Sequence, residues 1–227
     1  MHKLSTDPVE IAARPYYIDQ GNNSWKHVQQ VLTHARDIAK NTLNRDLTRN
    51  ELAAILFHDS AVKEYGKEDH GIKGGDNAVK ELKKLKFNKA DIADIKRAIQ
   101  QHDEFKDTYG KWDSITGEVL AAGDANPPDL NWILNKSYVY GIRKNLAHKD
   151  RLANTIKVIP EKYGENGYFY EHAPSLYLKY HKDKISDLKK ALSLLKDNKS
   201  MLWRRIKKYR AAHSLIGDDV TLPDPEY

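Results

Sequence analysis

The run from Leu52 to Asp59 constrains this chain more than any other stretch. Leu52, Ile55, Leu56 and Asp59 recur at three- and four-residue steps, the spacing that places side chains on one face of an α-helix. Thr48-Arg-Asn-Glu51 ahead of them has the form of a capping box, which fixes where that helix starts. Asp59 therefore points the way the core points, beside His58. Burying an uncompensated charge costs several kcal/mol. A metal ion, a buried basic partner or a surface position would each relieve that cost.

The pattern of an apolar stripe ending in an ionisable residue recurs along the chain. Ser24 has the character of an N-cap, and Trp25, Val28, Leu32, Ala35 and Ala39 follow at helical spacing. His27 lies at the edge of that stripe, in register with Val31, His34 and Ile38. Asn88 reads as the cap of a later helix, with Asp91 and Asp94 at its positive end and Ile92, Ile95, Ile99 and His102 on one face. Ile115 to Ala125 is again helical, with Leu120 and Asp124 four residues apart. Between these, residues 60–75 mix Gly66, Gly71, Gly74 and Gly75 with charges and read as a loop, ahead of a helix from Asp76 to Lys86. Further helices are expected at Asp129–Lys144, Asp150–Tyr163, Pro174–Lys196 and Ser200–Ser214. No strand-period hairpin and no internal repeat occurs, so the chain reads as all-α.

Composition narrows the chemistry. With 227 residues and 40% hydrophobic content the chain can bury a core. The first twenty residues lack an apolar signal core and no run of about 18 apolar residues occurs, so a cytoplasmic protein without membrane spans is expected. The absence of cysteine excludes disulfides and thiolate ligands, which leaves His and carboxylate to hold any metal. A net charge of +6 and a pI near 9.1 suit an anionic partner, a phosphorylated small molecule or, with less support, nucleic acid. His27, His58, Asp59, His102 and Asp124 together form a donor set for a divalent ion of the Mn, Fe, Co, Ni or Zn type, with Mg also compatible.

The ordered set His27, His58-Asp59, Asp124 resembles the H…HD…D signature of the HD-domain metal-dependent phosphohydrolases. Its flanks are similar too: Trp25-Lys-His27-Val28 with Val31 and Ala35, Leu56-Phe-His58-Asp59, and Leu120-Ala-Ala-Gly-Asp124-Ala. The resemblance covers roughly Ser24 to Asn126. It implies a multi-helix HD-domain-like bundle in which His27, His58, Asp59 and Asp124 bind the metal. It further implies that His70 and His102 hold a second ion or position a substrate phosphate, which with Asp59 makes them the expected catalytic residues. The implied activity is hydrolysis of a phosphoester, with a nucleotide or related small molecule as substrate. Ser60-Ala-Val-Lys63 departs from the acidic pair of the (p)ppGpp hydrolases, and Val62 stands where the family's 5′-deoxynucleotidases carry Glu. Glu64 is out of register; Glu68, Asp69 and Asp103 are the other candidate acids.

Around this set, Lys63, Lys67, Lys73 and Lys106 are candidate phosphate-binding cations, and Tyr109, Trp112 and Trp132 are candidates for stacking a base. The expected organisation is a lead-in over residues 1–23, an HD-type core over 24–146, a helical extension over 147–216 packed on the core, and a frayed tail over 217–227. The extension contains Trp203-Arg-Arg-Ile-Lys-Lys-Tyr-Arg210. Its Arg204, Arg205, Lys207, Lys208 and Arg210 offer a nucleic-acid or oligomer contact as the alternative to simple packing. A protein that senses a nucleotide without turning it over is the alternative reading of the whole.

Overall fold

In a computed structural model, residues 7–17, 22–102, 112–125, 127–195 and 198–212 are described. Among them every regular element is helical, as the periodicity predicts, and no helix is long and apolar enough to cross a membrane. The chain forms two compact units. The first comprises residues 1–125 and 172–180, the second residues 126–171 and 181–227.

In the first unit, α1 (Pro8–Ala13) begins at Asp7, whose carboxylate accepts from the Val9 N–H, and a 3-10 turn (Arg14–Tyr17) follows it. α2 (Asn22–Leu43) buries Val28, Val31, Ala35, Ile38 and Ala39. It starts two residues before Ser24, so the cap expected there lies inside the helix. α3 (Arg49–Phe57) carries the capping box in full. The Thr48 hydroxyl accepts from the Glu51 N–H, and the Glu51 carboxylate accepts from the Thr48 N–H at 2.7 Å. Arg45 closes on the same carboxylate at 2.6 and 2.8 Å, which compensates a Glu51 side chain with no solvent exposure. Ala53 through Phe57 are all buried, and His58 is the C-cap.

The expected loop over residues 60–75 is instead the first half of one long helix, α4 (Val62–Lys84). Its glycines serve close packing. A Cβ on Gly74 would lie 3.0 Å from the His58 carbonyl oxygen and 3.1 Å from that of Phe57, and one on Gly71 would lie 3.2 Å from the Ile99 carbonyl oxygen. The helix thus accepts an unfavourable propensity to let its backbone approach its neighbours. α5 (Lys89–Gln101) starts at Asn88, whose side chain caps the Asp91 N–H. α6 (Ile115–Asp124) starts at Ser114, which caps Gly117. α2, α3, α4, α5 and α6 pack pairwise, so the ends of α3, α5 and α6 come to one place beside α2.

In the second unit, α7 (Leu130–Arg143), capped by Asp129, packs against α8 (His148–Tyr163). α9 (Phe169–His172) runs from this unit into the short return to the first, where α10 (Ser175–Tyr180) packs on α2 and α6, with Glu118 accepting from the Leu176 N–H. The helix expected over Pro174–Lys196 is therefore broken: a turn at buried His181 separates α10 from α11 (Lys182–Leu195). α12 (Lys199–Ala212) completes a core of Leu134, Tyr138, Leu152, Leu188, Leu192 and Trp203.

Candidate metal centre

His27 is carried on α2, His58 and Asp59 by the turn that ends α3, His70 on α4, His102 by the C-cap of α5, and Asp124 by the last residue of α6. All six side chains converge. The His27 Nε2 lies 3.0 Å from Asp124 Oδ1, 3.3 Å from His58 Nε2 and 3.5 Å from Asp59 Oδ2. His58 Nε2 lies 3.6 Å from the same Asp59 Oδ2 and 3.8 Å from Asp124 Oδ1. The other Asp59 oxygen faces a second pair: Oδ1 is 3.4 Å from His70 Nε2 and 3.8 Å from His102 Nε2, and those nitrogens are 3.2 Å apart. One carboxylate thus stands between two histidine pairs.

The tautomers follow from the backbone. His58 Nδ1 donates to the Ile55 carbonyl at 2.7 Å and His102 Nδ1 to that of Ile99 at 2.5 Å. With Nδ1 carrying the proton, each ring in its neutral form directs the Nε2 lone pair inward, the arrangement that backbone carbonyls impose on metal-ligating imidazoles. Nε2 atoms facing each other as lone pairs repel unless a proton or a cation lies between them. For ligand bonds of about 2.0–2.2 Å meeting at about 90–120°, adjacent donors of one coordination shell lie about 2.8–3.8 Å apart. The spacings from 3.0 to 3.8 Å fit such shells. His27, His58 and Asp124 form one group able to hold a divalent ion, and His58, Asp59 and His102 another.

Electrostatics among the protein groups agree with the geometry. Burial by itself raises the Asp59 carboxyl, but His58, then His102 and His27, outweigh it and hold that group well below the usual carboxylate range. Asp124 is likewise lowered, against its burial, by the His27 hydrogen bond and the charges of His58 and His102. His58 is lowered, chiefly by burial, which keeps it a neutral donor. His27 is raised by its hydrogen bond to Asp124. His102 is pulled down by burial and up by Asp59, Asp124 and the Ile99 carbonyl, with a net rise to about 9. Strong coupling of opposed groups in one recess marks a functional site.

Two supporting residues escape the sequence reading. The Tyr17 hydroxyl, buried in the lead-in, donates to the Leu56 carbonyl at 3.0 Å, and its pKa is pushed well up by burial and then by the Asp59 charge. Its only signal was an aromatic pair, Tyr16-Tyr17, in a polar segment. His34 Nδ1 donates to the Gly123 carbonyl at 3.0 Å, next to Asp124. In the sequence its signal is the register it shares with His27.

Two of the candidate phosphate-binding lysines, Lys63 and Lys73, are described. Lys63 is exposed, and Lys73 lies over the Tyr65 ring at 5.3 Å. Neither makes a hydrogen bond or ion pair with the six residues. The Lys67 and Glu68 side chains, and Lys106, Asp103, Tyr109 and the tail from Gly217, lie outside the described residues. Glu64 and Asp69 are exposed. Trp112 packs on Gly117, and Trp132 belongs to the second unit. On α12, Arg204, Arg205 and Lys208 are exposed, whereas Arg210 turns inward and donates to Asn135 Oδ1 at 3.2 Å, so it does not share their face.

Comparison with protein-family models and with curated proteins gives no match. Among solved structures the chain is similar to a predicted HD superfamily hydrolase from an uncultured Thermotogales bacterium, with 19% sequence identity over 82% of this chain and 88% of that one and a TM-score of 0.49. What this site does is therefore argued from the side chains gathered at the ends of α3, α5 and α6.

Proposed function

We propose that the chain is a metal-dependent phosphohydrolase of the HD type, acting on a phosphoester of a nucleotide or a related small phosphorylated molecule. The observation that carries this reading is the Asp59 carboxylate set between two pairs of facing imidazole nitrogens, with His58 and His102 locked into lone-pair-inward tautomers. His27, His58, Asp59 and Asp124 would hold a divalent transition ion. His70 and His102, sharing Asp59, would hold a second one or contact the substrate phosphate. A bound divalent ion supplies Lewis acidity toward water and toward a phosphoryl oxygen at neutral pH.

The chain's own residues do the rest. Asp59 presents one oxygen to each histidine pair, so that both pairs are oriented about a single carboxylate. Where no second ion is held by His70 and His102, His102, with its proton affinity raised to about 9, would carry a proton at Nε2 and donate it to a phosphoryl or leaving-group oxygen. The hydrophobic wall of Phe57, Ile99 and Leu120 behind the cluster, all buried, keeps the local dielectric low and strengthens these interactions. Cations along α4, including Lys63, Lys67 and Lys73, and Lys106 beyond His102, are the proposed phosphate-binding groups.

The test is a screen of nucleoside mono-, di- and triphosphates and phosphodiesters against Mn, Co, Mg and Zn in turn, with Asp59→Ala as control. Metal-dependent phosphate release by the native chain and none by Asp59→Ala is expected. Metal binding without turnover across the panel would replace this reading with that of a nucleotide sensor.

A further inference from the structure

A cavity in the second unit lies between α7 and α8 and contains none of the six clustered residues. Its volume is about 490 Å³, within the range of small-molecule sites. Ile133 and Ile159 form an apolar floor. Trp132, Tyr140 and Tyr163 supply ring surfaces, and Tyr140, with Lys144 Nζ 5.6 Å from its ring centroid, is 55% exposed.

The charge of the lining is one-sided. Among the described residues, Lys136, Arg143 and Lys162 border the cavity and no acidic residue does. Two of these cations sit over lining rings, Lys136 at 4.6 Å from the Trp132 centroid and Lys162 at 5.3 Å from that of Tyr163. Their stems follow the apolar surface while the positive ends stay at the cavity. Asn135, Ser137 and Asn154 add neutral donors and acceptors.

Rings, amides and cations together select among anions. A fatty acid would use the floor and one cation but leave the Asn154 amide and the N–H groups of Asn135, whose Oδ1 accepts from Arg210, without a partner, which is costly once water is displaced. A bare phosphate would leave the rings unused. We propose that this cavity binds a small anion in which a planar, hydrogen-bonding ring system is joined to a phosphate, the chemistry of a nucleoside monophosphate. The ring lies against the aromatic side chains with its edge on the amides, and the phosphate is held by the cations. The proposal does not rest on hydrolysis at the histidine cluster.

Binding of AMP to the full chain, measured by calorimetry in EDTA and in the Asp59→Ala background, tests it. These conditions disable the histidine cluster. Expected is measurable AMP binding weakened at least tenfold by Arg143→Glu and by Val158→Trp, which fills the groove. Adenosine binding should fall in Val158→Trp and not in Arg143→Glu. If Val158→Trp fails to fold, the exposed Arg143→Glu substitution carries the test alone. Absence of AMP binding at millimolar concentration, binding unchanged in Arg143→Glu, or laurate or a polynucleotide binding where AMP does not, would each overturn the proposal. Metal content and phosphate release without EDTA should match the parent chain in Arg143→Glu carrying native Asp59, so this failure and that of the hydrolase reading are separable.

Discussion

Gly74→Ala offers the sharpest test of how the site is built. In an open helical position alanine gains about 1 kcal/mol over glycine. At Gly74 the new methyl group would meet the carbonyl oxygens of His58 at 3.0 Å and Phe57 at 3.1 Å, with Ile99 Cγ2 at 3.4 Å. Two of these are backbone atoms of the turn that carries His58 and Asp59, so relief requires the turn or α4 to move. Overpacking of this kind costs roughly 1–3 kcal/mol. Set against the propensity gain, the net loss is about 1 kcal/mol, a fall in Tm of roughly 2–4 °C for a chain of this size. Gly75→Ala is the internal control. Its nearest neighbour, Lys96 Cγ at 3.1 Å, belongs to a flexible side chain that can turn aside. Thermal melts followed by circular dichroism, with metal affinity measured on the same samples, should show Gly74→Ala less stable and weaker in metal binding, and Gly75→Ala close to the native chain. A Gly74→Ala protein as stable as Gly75→Ala would refute close packing of α4 on the His58 turn.

Arg45→Ala removes the guanidinium from a fully buried Glu51 carboxylate. Breaking a fully buried pair costs about 3–5 kcal/mol, and because Arg45 is itself 33% exposed we expect less than that, roughly 2–3 kcal/mol, by urea denaturation. Tyr17→Phe loses the hydrogen bond to Leu56 while keeping the ring, and metal titration should show affinity lowered roughly 10-fold. Stability without metal should depend on pH in two directions. Asp59 has a lowered folded-state pKa, so its contribution is present above the ordinary carboxylate value near 3.8 and is lost as pH falls below it. His102 is raised from 6.5 to about 9, so its contribution is complete below 6.5 and is lost as pH rises toward 9. Denaturation in EDTA between pH 5 and pH 10 should show the alkaline loss in the native chain and not in His102→Gln; the same slope in both would contradict the assignment.

Helix type and register were legible where periodicity and caps agree. Thr48 with Glu51, Asn88, and Asp129 mark helix starts that the structure reproduces, because each supplies an acceptor to an otherwise unpaired N–H. The sequence failed at α4, where four glycines and a run of charges outweigh propensity in any local window. The reason they form a helix is the distant backbone of Phe57, His58 and Ile99. That miss had a consequence for the site. Read as a loop residue, His70 had no direction, whereas on α4 it is buried and faces His102. His27, His58, Asp59, His102 and Asp124 were legible because each ends or edges an apolar stripe. Tyr17 was not, since a short 3-10 turn leaves no period to read, and the break at His181 carries neither Gly nor Pro.

The central claim is that the facing histidines and Asp59 form a metal site that hydrolyses phosphoesters. Elemental analysis of the purified native chain beside Asp59→Ala, with phosphate release assayed on both after Mn reconstitution, tests it most directly. The account predicts stoichiometric divalent metal and metal-dependent phosphate release in the native chain, both lost in a folded Asp59→Ala protein. A native chain that takes up no metal, or an Asp59→Ala chain that retains the same metal and the same activity, would contradict it.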